Sequence, residues 1–172
     1  MLTEKYDFRI TDQMTILLRP HWIANDSYRE KCKMLVLNRS KGEIHKVDFS
    51  KLTDYIKEGD VICFNDSTII NHMFICKTTV TRCLESAYSR EHNCLKASSG
   101  WTALYIHPGY QLKVVDCLLT NLHQPKTTHM VLTGQFAGVD LLIKAYTSEH
   151  IQSCQFDMFG DCMLIIQDEG QG

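Results

Sequence analysis

A short polar segment near residue 120 gathers several side chains that could do chemistry. Residues 118–128 read LLTNLHQPKTT, an apolar stretch followed by polar residues and then a predicted helix. The segment supplies hydroxyl, amide, imidazole and ammonium groups, on Thr120, Asn121, His123, Lys126 and Thr127. A helix N-terminus presents unpaired N–H groups and the positive end of the helix dipole, so this junction suits an anionic or strongly polar ligand. An ordinary polar connection between a strand and a helix is the alternative interpretation.

His123 is the candidate acid or base of this segment, because imidazole titrates near neutral pH. The alternative is a core histidine hydrogen-bonded to the backbone. Lys126 and the N–H groups that follow it are candidates to hold a carboxylate. The alternative, a solvated lysine in the first helical turn, is disfavoured by the positive end of the helix dipole.

A second polar edge opens the predicted helix near residue 80. Its candidate binding residues are Thr78, Thr79, Arg82 and Glu85. Arg82 is expected to pair with a ligand carboxylate or with Glu85, three residues on along the same helical face. A helix cap with a surface ion pair is the alternative here.

A third set of polar residues, Asn65, Asp66 and Ser67, follows the apolar stretch Val61–Phe64. Ligand groups in open α/β sheets come from the ends of buried strands, so Asp66 is a second catalytic candidate, and Asn65 and Ser67 are binding candidates. An Asx-turn is the competing interpretation of Asp66. Trp101 and Tyr105 have the ring size to stack on a purine, but core packing is the favoured interpretation of each.

The elements that must position these residues follow from hydrophobic spacing and turn residues. Strands are predicted at 34–38, 44–48, 61–64, 103–106, 112–119 and 162–166. Helices are predicted from Ser50 to Gly59, from a cap at Thr79 or Thr81, at about 126–136 and at 139–151. Because strands and helices mix without strict alternation, we expect an α/β fold, a single compact domain with a mixed sheet flanked by helices.

Composition limits the function classes. The chain has 172 residues, 44% hydrophobic, with a formal net charge of −2 from 18 basic and 20 acidic residues. This balance shows no electrostatic footprint for nucleic acid. No apolar run is long enough to span a membrane and no signal peptide is evident, so we expect a cytoplasmic protein without membrane contact. The eight cysteines form no Cys-x-x-Cys pair, and we expect no metal site.

Several motifs, in order, resemble one enzyme family, the S-adenosylmethionine:tRNA ribosyltransferase-isomerases of queuosine biosynthesis. The resemblance is strongest over residues 107–145, HPGYQLKVVDCLLTNLHQPKTTHMVLTGQFAGVDLLIKA. Further matching stretches are MLVLNR (34–39), GEI (42–44), GD (59–60), FNDS (64–67), TTVTRCLES (78–86) and FGDCMLI (159–165). The resemblance implies the family's α/β domain and S-adenosylmethionine as substrate.

The chain also departs from the family pattern. It has roughly half the usual length, and the motifs of the two ends are joined directly between Asn71 and Thr78, without the family's inserted β-barrel domain. Thr68 stands where the family carries an arginine, Asn71-His72-Met73 replaces proline-alanine-arginine, and Lys77 replaces a glycine. We therefore expect a shortened member in which residues 1–73 and 74–172 form one S-adenosylmethionine-binding domain.

In the family, the ribosyl part of S-adenosylmethionine is transferred to a 7-deazaguanine base in tRNA and rearranged. For this chain we expect cleavage or transfer of the ribosyl part on the cofactor alone, in a lyase-type reaction, or on a small-molecule acceptor. The tRNA reaction by an oligomer is a first alternative, although the charge balance counts against tRNA as partner. A non-catalytic S-adenosylmethionine-binding module is a second. A homodimer is plausible because the missing domain would bare surface.

Overall fold

The computed structural model describes residues 31–63, 78–89, 91–96, 102–125, 127–157 and 159–167. Four strands form the main sheet: β1 Lys33–Asn38, β2 Glu43–Asp48, β5 Leu118–Asn121 and β6 Cys162–Ile166. A separate two-stranded ribbon consists of β3 Tyr88–Ser89 and β4 Cys94–Leu95. The helices are α1 Thr78–Ala87, α2 Thr128–Ala137 and α3 Val139–Thr147, with 3₁₀ helices at Phe49–Tyr55 and Glu149–Ser153.

The main sheet is mixed, in the order β2-β1-β6-β5. β1 and β6 are parallel, whereas β2 and β5 run antiparallel to their neighbours at the two edges. Cys162 pairs with both Met34 and Asn121. The C-terminal end of β5 therefore lies at the same end of the sheet as the N-terminal ends of β1 and β6. The polar segment that follows β5 lies at this end of the sheet.

Two apolar layers bury the central strands. One layer holds Leu35, Leu37, Met163 and Ile165 of the sheet against α2 and α3. The other holds Met34, Val36, Cys162 and Leu164, with Leu52 and Tyr55 of the first 3₁₀ helix packed against it. Burial on both faces explains the continuous apolar sequence of β1. The predicted mixed sheet flanked by helices is confirmed.

The two helices after β5 differ in their burial. α2 is buried around most of its circumference, as its apolar sequence indicates, whereas α3 buries one face through Leu142, Ala145 and Tyr146. Gly138 separates them at φ 79°, a left-handed conformation that glycine adopts without a Cβ clash. The predicted break at Gly138 is confirmed.

Some predicted elements are wrong. Val61, Ile62 and Cys63 lie outside the strands and are exposed, Val61 by 86%, because no described strand lies beside them to complete a ladder. The predicted strand at 103–106 is irregular, and that at 112–119 is reduced to β5, because the N–H groups of 113–115 donate to a side chain instead.

Two helix starts also differ from prediction. The helix expected from Ser50 is a 3₁₀ helix that begins at Phe49, and its three-residue repeat places Leu52 and Tyr55 on one face. α1 begins at Thr78, so Thr81 lies within the helix and is buried rather than acting as its cap. Within the described residues, no helix is both long and apolar enough to cross a bilayer.

Candidate functional site

The turn that precedes β6 holds the loop after β5 at this end of the sheet. The N–H of Leu122 donates to the Asp161 carbonyl at 3.0 Å, and the N–H of Asp157 donates to the Leu122 carbonyl at 3.1 Å. The Asn121 amide donates to the Asp157 carbonyl at 2.9 Å, and the Gln124 amide donates to the Asp157 carboxylate at 2.6 Å. Asn121 thus braces the loop, one of the two roles expected for it.

Asp161 links the beginnings of the central strands. Its carboxylate accepts the N–H of Lys33 at 2.6 Å and that of Gln155 at 2.9 Å, and the residue is fully buried. The preceding Gly160 is required by a close approach, because an added Cβ would overlap the carbonyl oxygens of Gln155 and Phe156. These contacts fix the conformation of the turn, and the loop after β5 packs against it.

His123 is fixed through its ring and its backbone. Its Nε2 lies 2.8 Å from the Thr120 hydroxyl oxygen, and its carbonyl accepts the hydroxyl of the buried Tyr146 at 2.8 Å. Burial raises the pKa of Tyr146 well above its usual range, so this phenol remains a hydrogen-bond donor. His123 is partly buried.

A second imidazole lies against His123. The ring of His129, in the first turn of α2, stacks on that of His123 with centroids 4.7 Å apart and planes inclined by 26°. Burial lowers the pKa of His129, and the charge of Arg82 lowers it further. His129 is therefore neutral at neutral pH. One face of its ring packs against the His123 ring.

The side chain of the N-cap residue of α2 does not accept a hydrogen bond from the helix. Thr127 is the N-cap, but its hydroxyl donates to the Gln124 carbonyl at 2.9 Å rather than accepting from the helix. This arrangement leaves the first N–H groups of α2 directed towards the loop side, where an anion is stabilised by the helix dipole.

A small pocket opens beside this helix end. It is lined by Arg82 of α1, Tyr105, Ile106, Thr128 and Leu132. A guanidinium group, an aromatic ring and a helix N-terminus thus border one space. This combination suits a ligand with a carboxylate and a flat apolar part.

Glu85 has a different position from that expected. It is 2% exposed, and its carboxylate accepts the N–H groups of Lys113, Val114 and Val115 at 3.0–3.2 Å and the Tyr110 hydroxyl at 3.3 Å. These bonds fasten the 110–115 loop to α1. Through these hydrogen bonds the Glu85 carboxylate supports this loop.

The structure brings Thr120 and His123 into contact at the end of β5, and Thr127 bonds to the Gln124 carbonyl at the start of α2. Arg82 lines the pocket beside that helix start. Thr78 begins α1, but the side chains of Thr78 and Thr79 lie outside the description. Predicted residues that also lie outside it are Asn65, Asp66, Ser67, Trp101 and Lys126. Over the described ranges, no group of three or more His, Cys, Asp or Glu side chains could hold a metal ion.

Sequence reasoning missed His129. The signal was present, since a second histidine follows His123 in the first turn of the next helix, and the two are joined by a short proline-containing loop. Gln124 and Asp157 were also missed. Their pairing joins two segments that are distant in sequence, so no local pattern announces it.

Known proteins resemble this chain in family pattern, in sequence and in structure. The model of the queuosine biosynthesis proteins matches residues 3–77 and 71–165. The two matched segments meet at 71–77, as expected for a member shortened between them.

Relatives named S-adenosylmethionine:tRNA ribosyltransferase-isomerase include proteins of Halothermothrix orenii, 49% identical over 89 residues, and of Pelotomaculum thermopropionicum, 45% identical over 89 residues. Each alignment covers 52% of this chain and 26% of the relative, so the matched region spans about a quarter of the relatives' length.

A crystal structure of an S-adenosylmethionine tRNA ribosyltransferase from Thermotoga maritima has the same fold. Its TM-score is 0.69 at 17% identity, covering 90% of this chain and 100% of that chain. The family model spans both halves of this chain. The chain therefore belongs to the queuosine biosynthesis protein family.

Proposed function

We propose that this chain is a ribosyltransferase-isomerase-like enzyme that binds S-adenosylmethionine between α1 and the N-terminus of α2 and cleaves or transfers its ribosyl part. In this proposal residues 1–172 act as one S-adenosylmethionine-binding unit, without a metal ion. The observation that carries it is that Arg82, which lines the pocket, lies close enough to His129 to influence its charge, and that the His129 ring stacks on His123. The names of the sequence relatives support the choice of ligand.

The described pocket offers partners for two parts of S-adenosylmethionine, the carboxylate and the adenine ring. Arg82 and the N-terminus of α2 suit the methionine carboxylate, which favours charge-assisted hydrogen bonds. The Tyr105 ring suits the adenine face. Asn65, Asp66 and Ser67, which lie outside the described residues, are proposed for the ribose hydroxyls from the sequence alone. Lys126 and Thr127 would add to the carboxylate site, with Thr78 and Thr79 at the opposite edge.

His123 is assigned the proton transfer. The sulfonium acidifies the neighbouring C5′ hydrogens, so a positioned base with a pKa near the working pH would remove one. The departing adenine takes the electron pair of the glycosidic bond and needs a proton or a hydrogen-bond donor. The Thr120 hydroxyl orients the His123 ring for either step. Asp66 is the second candidate for the proton transfer.

The acceptor is proposed to be a small molecule, or absent in a lyase-type cleavage. The net charge of −2 supports this choice, because tRNA binding normally requires a positive surface. A cytoplasmic setting fits such a substrate.

The experiment is to incubate the protein with S-adenosylmethionine and identify the products by mass spectrometry. Release of adenine and methionine supports ribosyl chemistry. Methylthioadenosine would indicate attack on the aminocarboxypropyl side and would contradict the proposal. An unchanged cofactor with measurable binding would favour the non-catalytic module.

The tRNA reaction is a second candidate, because the sequence relatives carry tRNA in their names. In that case a homodimer or a partner chain would supply the missing surface. Gel-shift with unmodified tRNA, together with sedimentation of the protein alone, tests both parts. Specific retention of tRNA by a dimer would favour this candidate over the small-molecule reaction.

A further inference from the structure

We propose that the stacked rings of His129 and His123 together bind a single proton near neutral pH. In this pair His129 is the neutral partner and His123 holds the proton. His129 is thereby a positioning residue that acts through His123. Its role in turnover rests on the proposed function, whereas the titration of the pair can be measured without any reaction.

The geometry sets the first condition for this pair. The ring centroids are 4.7 Å apart and the planes are nearly parallel. Two positive charges at this distance repel each other, so a second proton binds to the pair much more weakly than the first. A protonated ring over a neutral aromatic face is favourable, however, because the face carries partial negative charge.

The surroundings decide which ring is protonated. His129 is approached by the guanidinium of Arg82 from α1, and both Arg82 and Thr128 border the same pocket. A charge on His129 is therefore opposed by burial and by a fixed cation. His123 instead has the Thr120 hydroxyl 2.8 Å from Nε2, an oxygen that can accept the N–H of the charged ring.

The groups that face His129 from the described elements include Arg82 of α1 and His123 of the loop after β5, and Tyr105 lines the pocket beside the neighbouring Thr128. Of these three side chains, the imidazole is the one whose ordinary pKa lies near neutral pH. The pair therefore presents a single titrating proton to the pocket, located on the ring that Thr120 orients. Such an arrangement assigns the exchangeable proton to His123 while His129 remains uncharged.

The test is an NMR titration of the imidazole C–H signals of the intact chain, assigned with His123→Gln and His129→Gln. We expect His123 to titrate first as pH falls and His129 to titrate at lower pH. His129→Leu removes the aromatic face and should lower the midpoint of His123 by about half a pH unit. His129→Phe keeps an aromatic face and should restore it. Arg82→Gln should raise the midpoint of His129.

His45→Gln, an exposed substitution on β2, is the control and should leave both midpoints unchanged. The proposal is overturned if His129 takes up its proton before His123, or if His123 titrates identically in the Leu and Phe variants. The order of titration in the unsubstituted chain decides the matter even if a variant fails to fold. Failure to turn over S-adenosylmethionine would remove the proposed function and leave the titration result standing.

Discussion

At the scale of single residues, His123 is held more firmly than its loop position suggests. Thr120 contacts its ring, Tyr146 binds its carbonyl and His129 covers one of its faces. A proton-transfer group gains from such restraint, because a misplaced base loses much of its rate advantage. The site thus places one oriented imidazole beside a pocket that suits an anion.

Substitution of His123 should separate turnover from binding. His123→Ala is expected to lower kcat by about 10²- to 10⁴-fold, the usual contribution of general acid–base catalysis, with little change in the Kd for S-adenosylmethionine. Lys126→Ala should mainly weaken binding. Product formation and equilibrium dialysis measure the two effects. Unchanged kinetics in both variants would contradict the placement of the site.

The pH dependence of stability should report on His129. Its pKa is lowered on folding, so the unfolded chain binds the proton more readily than the folded chain. The stability associated with a neutral His129 is present above the unfolded value of about 6.5 and is lost as pH falls through the lower folded value.

His129→Gln should therefore lose less stability than the unsubstituted chain between pH 7.5 and pH 5. Thermal unfolding at a series of pH values measures this difference, with His45→Gln as the exposed control. Parallel curves for the unsubstituted chain and His129→Gln would show that His129 does not contribute.

At the scale of elements, Glu85 connects α1 to the segment that leads to the site. A buried carboxylate is stable here because several N–H groups point at it. The same loop is held from α2, where the Gln135 amide donates to the Tyr110 carbonyl at 2.7 Å. Glu85 and Gln135 together set the distance between the two helices that border the pocket.

Removal of Glu85 should loosen this connection. Glu85→Ala leaves the N–H groups of residues 113–115 without their acceptor, and we expect a loss of about 3 kcal/mol in the free energy of unfolding. Glu85→Gln keeps one acceptor oxygen and should lose less. Urea denaturation measures both variants. Glu91→Gln, an exposed substitution, should change stability by about 0.5 kcal/mol or less, and an equally small effect at Glu85 would refute the anchoring role.

At the scale of the whole molecule, the sheet order brings distant segments to one edge. β5 and β6 are separated in sequence by two helices, yet their antiparallel pairing places Asn121 beside Cys162. The 155–161 turn can then support the loop that carries His123. A ligand that bridges α1 and α2 at this edge would couple binding to the stability of the whole fold.

Binding should therefore appear as thermal stabilisation. S-adenosylmethionine at about 100 times its Kd is expected to add about 2.7 kcal/mol to the stability, a rise of several degrees in Tm. Adenosine, which lacks the carboxylate, should give a smaller shift at the same concentration. Arg82→Ala should reduce the shift for S-adenosylmethionine towards that for adenosine. Equal shifts in both proteins would place the carboxylate elsewhere.

The sequence by itself determined the elements with strong local patterns. The apolar run of β1, the turn before β2, the break at Gly138 and the last strand are all located correctly, because spacing and turn residues act locally. The motifs also identified the family. The polar residues after β5 marked the junction at which the structure places His123 and Thr127.

The tertiary structure decided everything that depends on partners distant in sequence. The expected strand at 112–119 became mostly loop because the Glu85 carboxylate, on another element, supplies acceptors for its N–H groups. Val61–Cys63 is apolar but exposed, and among the described residues no strand lies beside it to supply hydrogen-bond partners. His129 entered the site for the same reason. Its ring meets His123 and the charge of Arg82 only after the loop and the two helices have packed.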